Sequence, residues 1–255
     1  LNDKLLKAAA VDSGITPSDH FGVILYEGDD ESGHSINGGK FGGAAYFNGS
    51  TSKIDINRNV LVGNNWTISM WVRVASGTPY TNYRFYDSSY GDYAGKLRLG
   101  INTNGTVNVA QGNSTSVETS FNSTGTINDN AWHNLCVTFD GTTSRLYIDG
   151  SADGTITPSH YSDSSGDARI GGGNTISGSN PFKPCEGKID QLRIFQKELS
   201  SSEVSTLYAE TANTVESLDP LSEDTTGTLQ VLGDTSCVAT YQFENNEDDL
   251  GGNYD

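Results

Sequence analysis

The feature that most constrains this chain is a strict two-residue alternation of side chains in the segment WTISMWVRV (66–74). Successive side chains of an extended strand point to opposite faces of the sheet. Five apolar side chains would therefore share one face: Trp66, Ile68, Met70, Val72 and Val74. This period of two differs from the 3.6-residue period of a helix, so the segment predicts a β-strand with one buried face.

Turn dipeptides separate this strand from others of the same kind. KLRLGIN (96–102) and WHNLCVTFD (132–140) alternate likewise, and hairpin turns are predicted at Asn104-Gly105, Asp140-Gly141 and Asp149-Gly150. Further short strands are predicted at 21–26, 44–47, 53–56, 145–148, 168–170, 188–195 and 237–243. Many strands with turns between them predict an all-β chain, folded as a sandwich or jelly roll.

Two segments predict helices instead. Ser200 and Glu203 have the spacing of a capping box, in which each side chain satisfies a backbone N–H of the other residue. Val204 and Leu207 follow at helical spacing, so a short helix is expected over 201–209. The segment NDKLLKAAA (2–10) predicts a second helix, which a linker would follow.

Charge and hydropathy narrow the range of partners. The formal net charge is -17, and nucleic acid requires a basic surface, so nucleic acid is not expected as a partner. The apolar stretches are far shorter than the ~20 residues of a membrane helix, so no membrane insertion is expected. The three cysteines, Cys136, Cys185 and Cys237, cannot all pair within the chain. Free thiols are expected, and a bridge between Cys136 and Cys185 stays open.

Five segments occur in an order and at separations that resemble the laminin-G-like, or concanavalin A-like, jelly roll: 39–49, 66–72, 132–150, 186–195 and 199–208. The resemblance implies an all-β, concanavalin A-like (laminin-G-like) jelly-roll β-sandwich with one short helix near the end of the core. The expected organisation is an N-terminal helix and linker over 1–20, the jelly roll over 21–210, and an acidic linker with a terminal strand over 211–255.

The two ends of the chain carry a second resemblance. Residues 21–38 are similar to a strand–turn unit of tail fibres and related structural proteins of tailed bacteriophages, and residues 231–255 are similar to the opening of a laminin-G-like repeat in those proteins. This resemblance implies a virion tail fibre or another extracellular appendage. The candidate assembly residues form the terminal strand: Cys237, Val238, Ala239, Thr240, Tyr241, Gln242 and Phe243. This strand would open a second repeat, complete a sheet of this domain, or join a neighbour by β-strand addition.

No catalytic constellation stands out, so the chain is not expected to be an enzyme. Glycoside hydrolysis requires two carboxyl groups ~5 to 10 Å apart across the sugar bond. The strand and turn acids Asp55, Asp140, Asp149 and Asp190 sit singly, and His133, which alternates with Trp132, is expected to be structural.

The candidate ligand site is the segment YTNYRFYDSSYGDY (80–93), which we interpret as a loop. Tyrosine offers a flat apolar face and a hydroxyl group, and sugars can stack on such faces. The candidate residues are Tyr80, Tyr83, Arg84, Tyr86, Asp87, Tyr90, Asp92 and Tyr93. In the equally weighted alternative, these tyrosines pack the loop onto its own sheet or line a subunit interface.

A Ca²⁺ site at the rim of the sandwich is implied by the family resemblance. Carboxylates of Asp163 and Asp167, or of Asp87 and Asp92, could contribute to it, although no EF-hand-like spacing supports it. No other cofactor is implied.

The sequence is compatible with three functions. The first is a non-enzymatic structural and adhesion module that recognises a cell-surface glycan or receptor. The second is a purely structural fibre or lattice subunit, in which other copies of the chain are the partners and strand exchange holds them together. The third is a glycan hydrolase, for which the paired carboxylates are missing.

Overall fold

The computed structural model describes these residues: 24–26, 39–41, 44–49, 52–56, 61, 63–76, 83–88, 97–112, 118–158, 168–173, 183–210 and 237–241. For residues 24–26, 55–56, 118 and 237–241 the description is limited to the backbone. The predicted helix over 2–10, the linkers over 11–20 and 211–236, and residues 242–255 lie outside the described residues.

The described strands form two antiparallel sheets, which confirms the predicted sandwich. The first sheet contains β1 (Ile24–Tyr26), β2 (Ala44–Asn48), β4 (Trp66–Arg73), β9 (Trp132–Phe139), β10 (Ser144–Ile148), β11 (Ser151–Ile156), β13 (Glu186–Phe195) and β14 (Cys237–Tyr241). Its spatial order is β1–β2–β13–β4–β9–β10–β11, with β14 also paired to β13.

The second sheet has six strands. They are β3 (Ile54–Ile56), β5 (Tyr83–Asp87), β6 (Arg98–Ile101), β7 (Thr106–Gly112), β8 (Glu118–Thr126) and β12 (Ala168–Ile170). Their spatial order is β3–β12–β5–β6–β7–β8. This order places β5, β6 and β7 in the interior of the sheet and β8 at its edge.

The hydrophobic core lies between the two sheets, and the alternation in β4 builds one side of it. All five apolar residues predicted to share a face are buried in this core. Trp66 packs on Phe139 of the neighbouring strand, with ring centroids 5.4 Å apart. From the second sheet, Leu99, Val107 and Val109 fill the opposite side.

The outer face of the first sheet is covered by helix α1 (Ser201–Tyr208). The predicted capping box is present: Glu203 N donates to Ser200 Oγ at 3.3 Å, and Ser200 N donates to Glu203 Oε2 at 2.7 Å. Val204 and Leu207 of the helix pack on Phe195 in a second buried cluster. Trp71, the aromatic residue on the outer face of β4, stacks on Tyr208 at 5.7 Å between ring centroids and is buried there as a packing residue. Among the described residues, no helix is long and apolar enough to cross a membrane.

The cysteines behave as buried thiols where their side chains are described. Cys136 and Cys185 are both free and fully buried, so no bridge joins them. Burial raises the pKa of both thiols, which keeps them protonated and unreactive at neutral pH.

Two parts of the predicted strand map are corrected by the structure. Residues 83–87, interpreted as loop, form β5, and an irregularity between Arg84 and Tyr86 places both Phe85 and Tyr86 in the core, which interrupts the alternation. Strands β8 and β11 were not predicted, because β8 (ETSFNSTGT) contains a single large apolar residue and β11 contains a glycine. The edges of these two strands meet where Asp153 accepts hydrogen bonds from Thr124 N at 2.7 Å and Gly125 N at 2.8 Å.

The capping box provides a first test of the fold. Ser200→Ala should lower the free energy of unfolding by about 1 kcal/mol, because one N–H in the first turn of the helix loses its acceptor. Urea denaturation measures this change. Ser201→Ala, at the adjacent exposed position, is the matched control and should change stability by less than about 0.5 kcal/mol. An equal effect of both substitutions would contradict a capping role for Ser200.

Candidate functional site

The outward side of the six-stranded sheet, here called the polar face, carries the candidate site. Arg84 on β5 lies opposite Gly100 on β6, Gly100 lies opposite Asn108 on β7, and Asn108 lies opposite Asn122 on β8. Directly opposed residues place their side chains on the same side of a sheet. The neighbours of these residues along the strands point into the core, so this row points away from it.

Three asparagines on this face are joined by hydrogen bonds and form what we call the amide row: Asn102, Asn108 and Asn122. The Oδ1 atom of Asn122 accepts from Nδ2 of Asn102 at 2.9 Å and from Nδ2 of Asn108 at 3.0 Å. Arg84 Nη1 donates to Asn108 Oδ1 at 3.4 Å. These bonds fix the orientation of each amide, so the row forms a preorganised polar surface.

The amide row is accessible at its β8 end. Asn122 and Ser120 are exposed, and Asn102 and Asn108 are half-buried. The Oδ1 atom of Asn122 already accepts two hydrogen bonds, whereas its Nδ2 group donates to none of the described residues. An amide nitrogen carries two N–H donors. Asn122 therefore offers donors of fixed direction to a ligand oxygen.

The other part of the polar face is charged and buried. Arg98 Nε lies 3.7 Å from Asp87 Oδ2, and the two side chains are 8% and 4% exposed. Arg169 lies opposite Asp87 on β12 and donates through Nη1 to the carbonyl oxygen of Gly173 at 2.5 Å. Removing one partner of an ion pair with so little exposure would leave an uncompensated buried charge.

Gly100 makes room for the charged side chain of Arg84. A Cβ atom at this position would lie 2.0 Å from the backbone oxygen of Tyr83 and 3.1 Å from Arg84 Nη1. The pairing of β5 with β6 shifts register beside this close approach, between Arg84 and Tyr86. The guanidinium group of Arg84 can therefore cross β6 above a residue without a side chain and reach Asn108 on the next strand.

The structure separates the residues of the predicted tyrosine site. Tyr83 and Tyr86 are buried in the core, and the hydroxyl group of Tyr83 donates to Glu186 Oε2 at 3.1 Å. Their burial agrees with the alternative in which the tyrosines pack onto their own sheet. Arg84 and Asp87 lie on the polar face and are also largely buried. Tyr80, Tyr90, Asp92 and Tyr93 lie outside the described residues, so their roles stay predictions.

The Ca²⁺ hypothesis also stays a prediction. Asp163 and Asp167 lie outside the described residues, and Asp87 is held beside Arg98. Within the described ranges, no group of three or more His, Cys, Asp or Glu side chains is arranged to hold a metal ion.

His133 has a structural environment among the described residues. Its Nδ1 atom lies 2.8 Å from Asp149 Oδ2 and its Nε2 atom lies 3.0 Å from Asp129 Oδ1. The hydrogen bond with Asp149 is the main cause of a raised His133 pKa, and the contact with Asp129 raises it further. Asp149 also accepts from Asn134 N at 2.8 Å, so the pair fastens the β10–β11 turn to β9.

The amide row was missed by the sequence analysis. Each asparagine lies in or beside a strand, where asparagine is depleted because it gains little from packing on a pleated surface. A strand asparagine is therefore a weak signal of a side-chain role. The contacts between these residues depend on the pairing of β6, β7 and β8, which the sequence pattern of β8 did not predict.

Comparison with known proteins identifies the fold. A family model described as the concanavalin A-like lectin/glucanases superfamily matches residues 48–205, more than half of the chain. No curated protein matches the chain.

Three solved structures illustrate the likeness. The binding domain of Paraclostridial Mosquitocidal Protein 1 is 17% identical, with a TM-score of 0.55 over 74% of this chain and 46% of that chain. The Botulinum Neurotoxin Type G receptor binding domain is 17% identical, with a TM-score of 0.54 over 74% of this chain and 44% of that chain. Domain 4 of an extracellular arabinanase from Geobacillus stearothermophilus, in complex with arabinotriose, is 21% identical, with a TM-score of 0.53 over 73% of this chain and 81% of that chain.

The chain matches less than half of each of the two toxin domains. At these identities the likeness concerns the fold.

The environment of His133 predicts a pH dependence of stability. Because folding raises the pKa of His133, protonated His133 stabilises the folded state. This contribution to the free energy of unfolding is fully present below the unfolded pKa of about 6.5 and is lost as the pH rises through the folded pKa. Folding also lowers the pKa of Asp129, mainly through its hydrogen bond with the backbone of Ala131. The stabilisation that ionised Asp129 provides is therefore lost in acid, as the pH falls through its folded pKa. His133→Gln should therefore destabilise the protein more at pH 5.5 than at pH 8.5. Urea denaturation at several pH values measures this difference, and a constant difference would contradict the assignment.

Gly100 provides a test of the strand approach that shapes the polar face. Gly100→Ala should lower the free energy of unfolding by about 2 kcal/mol or more, because the new methyl group meets backbone rather than a movable side chain. Gly173→Ala is the matched control, since its Cβ would lie at ordinary contact distances of 3.5 Å or more. Thermal and urea unfolding measure both variants, and equal stability of the two would contradict the close approach at Gly100.

Proposed function

The chain belongs to the concanavalin A-like lectin/glucanases superfamily, and from this premise we propose that it is a non-enzymatic module that binds a cell-surface glycan on its polar face. The proposal rests above all on the amide row, in which the exposed Asn122 presents amide donors whose direction two hydrogen bonds fix. Sugars are rich in hydroxyl groups that both accept and donate hydrogen bonds. A rigid row of amides can match such groups at little cost in side-chain entropy.

The structural neighbours support a binding role of this kind. Two of them are named as toxin binding domains, and the third is an arabinanase domain in complex with arabinotriose. Sandwiches of similar fold thus serve in recognition. Transfer of glycan recognition to this chain is our proposal, because fold alone does not determine function.

The strand and turn acids considered for a hydrolase make structural hydrogen bonds where their side chains are described. Asp140 accepts from Thr142 N and Thr143 N, Asp149 is held by His133 and Asn134, and Asp190 accepts from Lys40 N and Phe41 N. Asp140 lies near a second acid, Glu198, but both carboxylates accept from Arg145 Nη1, at 2.9 and 2.6 Å, and are held in an ion pair. This arrangement supports a module that binds without cleaving.

The biological setting is part of the proposal. The resemblance of residues 21–38 and 231–255 to segments of phage structural proteins supports a place in a virion tail fibre or a similar extracellular appendage. A net charge of -17 agrees with such a place, because like-charged surfaces resist nonspecific aggregation. Immunogold labelling of virions or cells that carry the chain would test this location.

The binding proposal is tested with a glycan array, followed by calorimetry on the best ligand, with and without Ca²⁺. Asn122→Ala should weaken binding about fivefold or more, because one or two hydrogen bonds to the ligand are lost. Thr155→Ala, at an exposed strand position on the other sheet, should leave the affinity unchanged. Thermal unfolding of both variants checks that the fold is retained.

Two results would contradict the proposal. An array without any ligand would remove glycan recognition altogether. Glycan binding that survives both Asn122→Ala and Asn108→Ala would place the ligand elsewhere on the molecule.

A further inference from the structure

Strand β13 is divided into two halves by an irregularity at Asp190 and Gln191. Its pairing with β4 shifts register between Asp190 and Arg193. Gln191 has φ 49°, a left-handed conformation that non-glycine residues seldom adopt outside turns and bulges. The two halves of the strand therefore offer two separate edges for pairing.

Each half of β13 has a different partner on the side away from β4. Residues 186–189 pair with β2, from Glu186 opposite Asn48 to Ile189 opposite Ala45. Residues 192–195 pair with β14, from Leu192 opposite Tyr241 to Phe195 opposite Cys237. Strands β2 and β14 both run antiparallel to β13, so they lie end to end along one edge. We call the edge of residues 192–195 the strand slot.

The strand slot has several contacts besides those with β14. Its other edge pairs with β4, and the side chains of Leu192 and Ile194 are buried in the core. Phe195 packs against helix α1, and Arg193 donates through Nη2 to Glu210 Oε1 at 2.9 Å. A strand edge built in this way presents backbone N–H and C=O groups to any strand of suitable length.

Among the described strands, β14 in contrast is paired with one neighbour, β13. Along the chain it is separated from Glu210 by residues 211–236. A segment of this length can span up to about 90 Å, whereas a domain of this size is roughly 40 Å across. Chain length therefore allows β14 to reach the slot of a second molecule as well as its own.

We propose that the strand slot is a site of homotypic assembly, in which β14 of one copy pairs with residues 192–195 of a second copy. The same backbone bonds form within one chain and between chains, so exchange needs no new interface. In dilute solution β14 pairs with the slot of its own chain, because the connecting segment keeps it nearby. The fraction of exchanged molecules rises as the protein concentration approaches the millimolar effective concentration of the tethered strand. This assembly is independent of the glycan site, which lies on the other sheet.

The proposal is tested by trapping the strand pair in the full-length chain. Ile194 and Ala239 lie directly opposite each other, so the double variant Ile194→Cys with Ala239→Cys should form a disulfide under mild oxidation. On a non-reducing gel, the bond should be intrachain at about 10 μM and interchain in a large fraction at about 1 mM, near the effective concentration of the strand. Intrachain bonds alone at both concentrations would overturn the proposal.

A second measurement decides the question if the cysteines in the core prevent folding. Sedimentation of the unmodified chain at about 1 mM should show dimers or longer assemblies, and Ala239→Pro, which disturbs the strand, should remain monomeric. Val204→Ala, which weakens the helix packing instead, is the control and should assemble like the unmodified chain. A monomer at every concentration, or assembly that survives Ala239→Pro, would overturn the proposal.

Discussion

The packing of two pleated sheets across a shared apolar layer is the constraint on which the rest of the structure depends. Alternate side chains of the strands point into this layer, among them Trp66 and Phe139 from one sheet and Val107 and Val109 from the other. The intervening positions must then point outward. Helix α1 covers the outward face of the first sheet, and the polar face of the second sheet carries the amide row. Inner packing thus determines where functional side chains can be placed.

The predictable part of this fold is the part in which burial follows a simple period. The alternation in 66–74 predicts the strand and the face that enters the core, but not the burial of Thr67, Ser69 and Trp71 on the opposite face. The capping box at Ser200 predicts helix α1. Strand β5 does not show this period, because an irregularity between Arg84 and Tyr86 turns two successive aromatic residues, Phe85 and Tyr86, into the core. Strand β8 was missed because its side chains are mostly polar, and the edge position of the strand supplies no apolar pattern on its outer face.

The candidate site could not be predicted for a related reason. Asn102, Asn108 and Asn122 lie in different segments, and they meet through strand pairing rather than through spacing along the chain. The tyrosines between 80 and 93 gave a stronger compositional signal, yet Tyr83 and Tyr86 are core residues. Residue type is informative about burial, whereas a recognition surface depends on the register of neighbouring strands.

The end-to-end arrangement of β2 and β14 on β13 also has a mechanical consequence. The first and last described strands, β1 and β14, belong to the same sheet and are linked through β2 and β13. Tension applied between the two ends of the chain would be carried by the hydrogen bonds of these four strands. The six-stranded sheet lies outside this load path, so a molecule under tension would keep the geometry of its polar face.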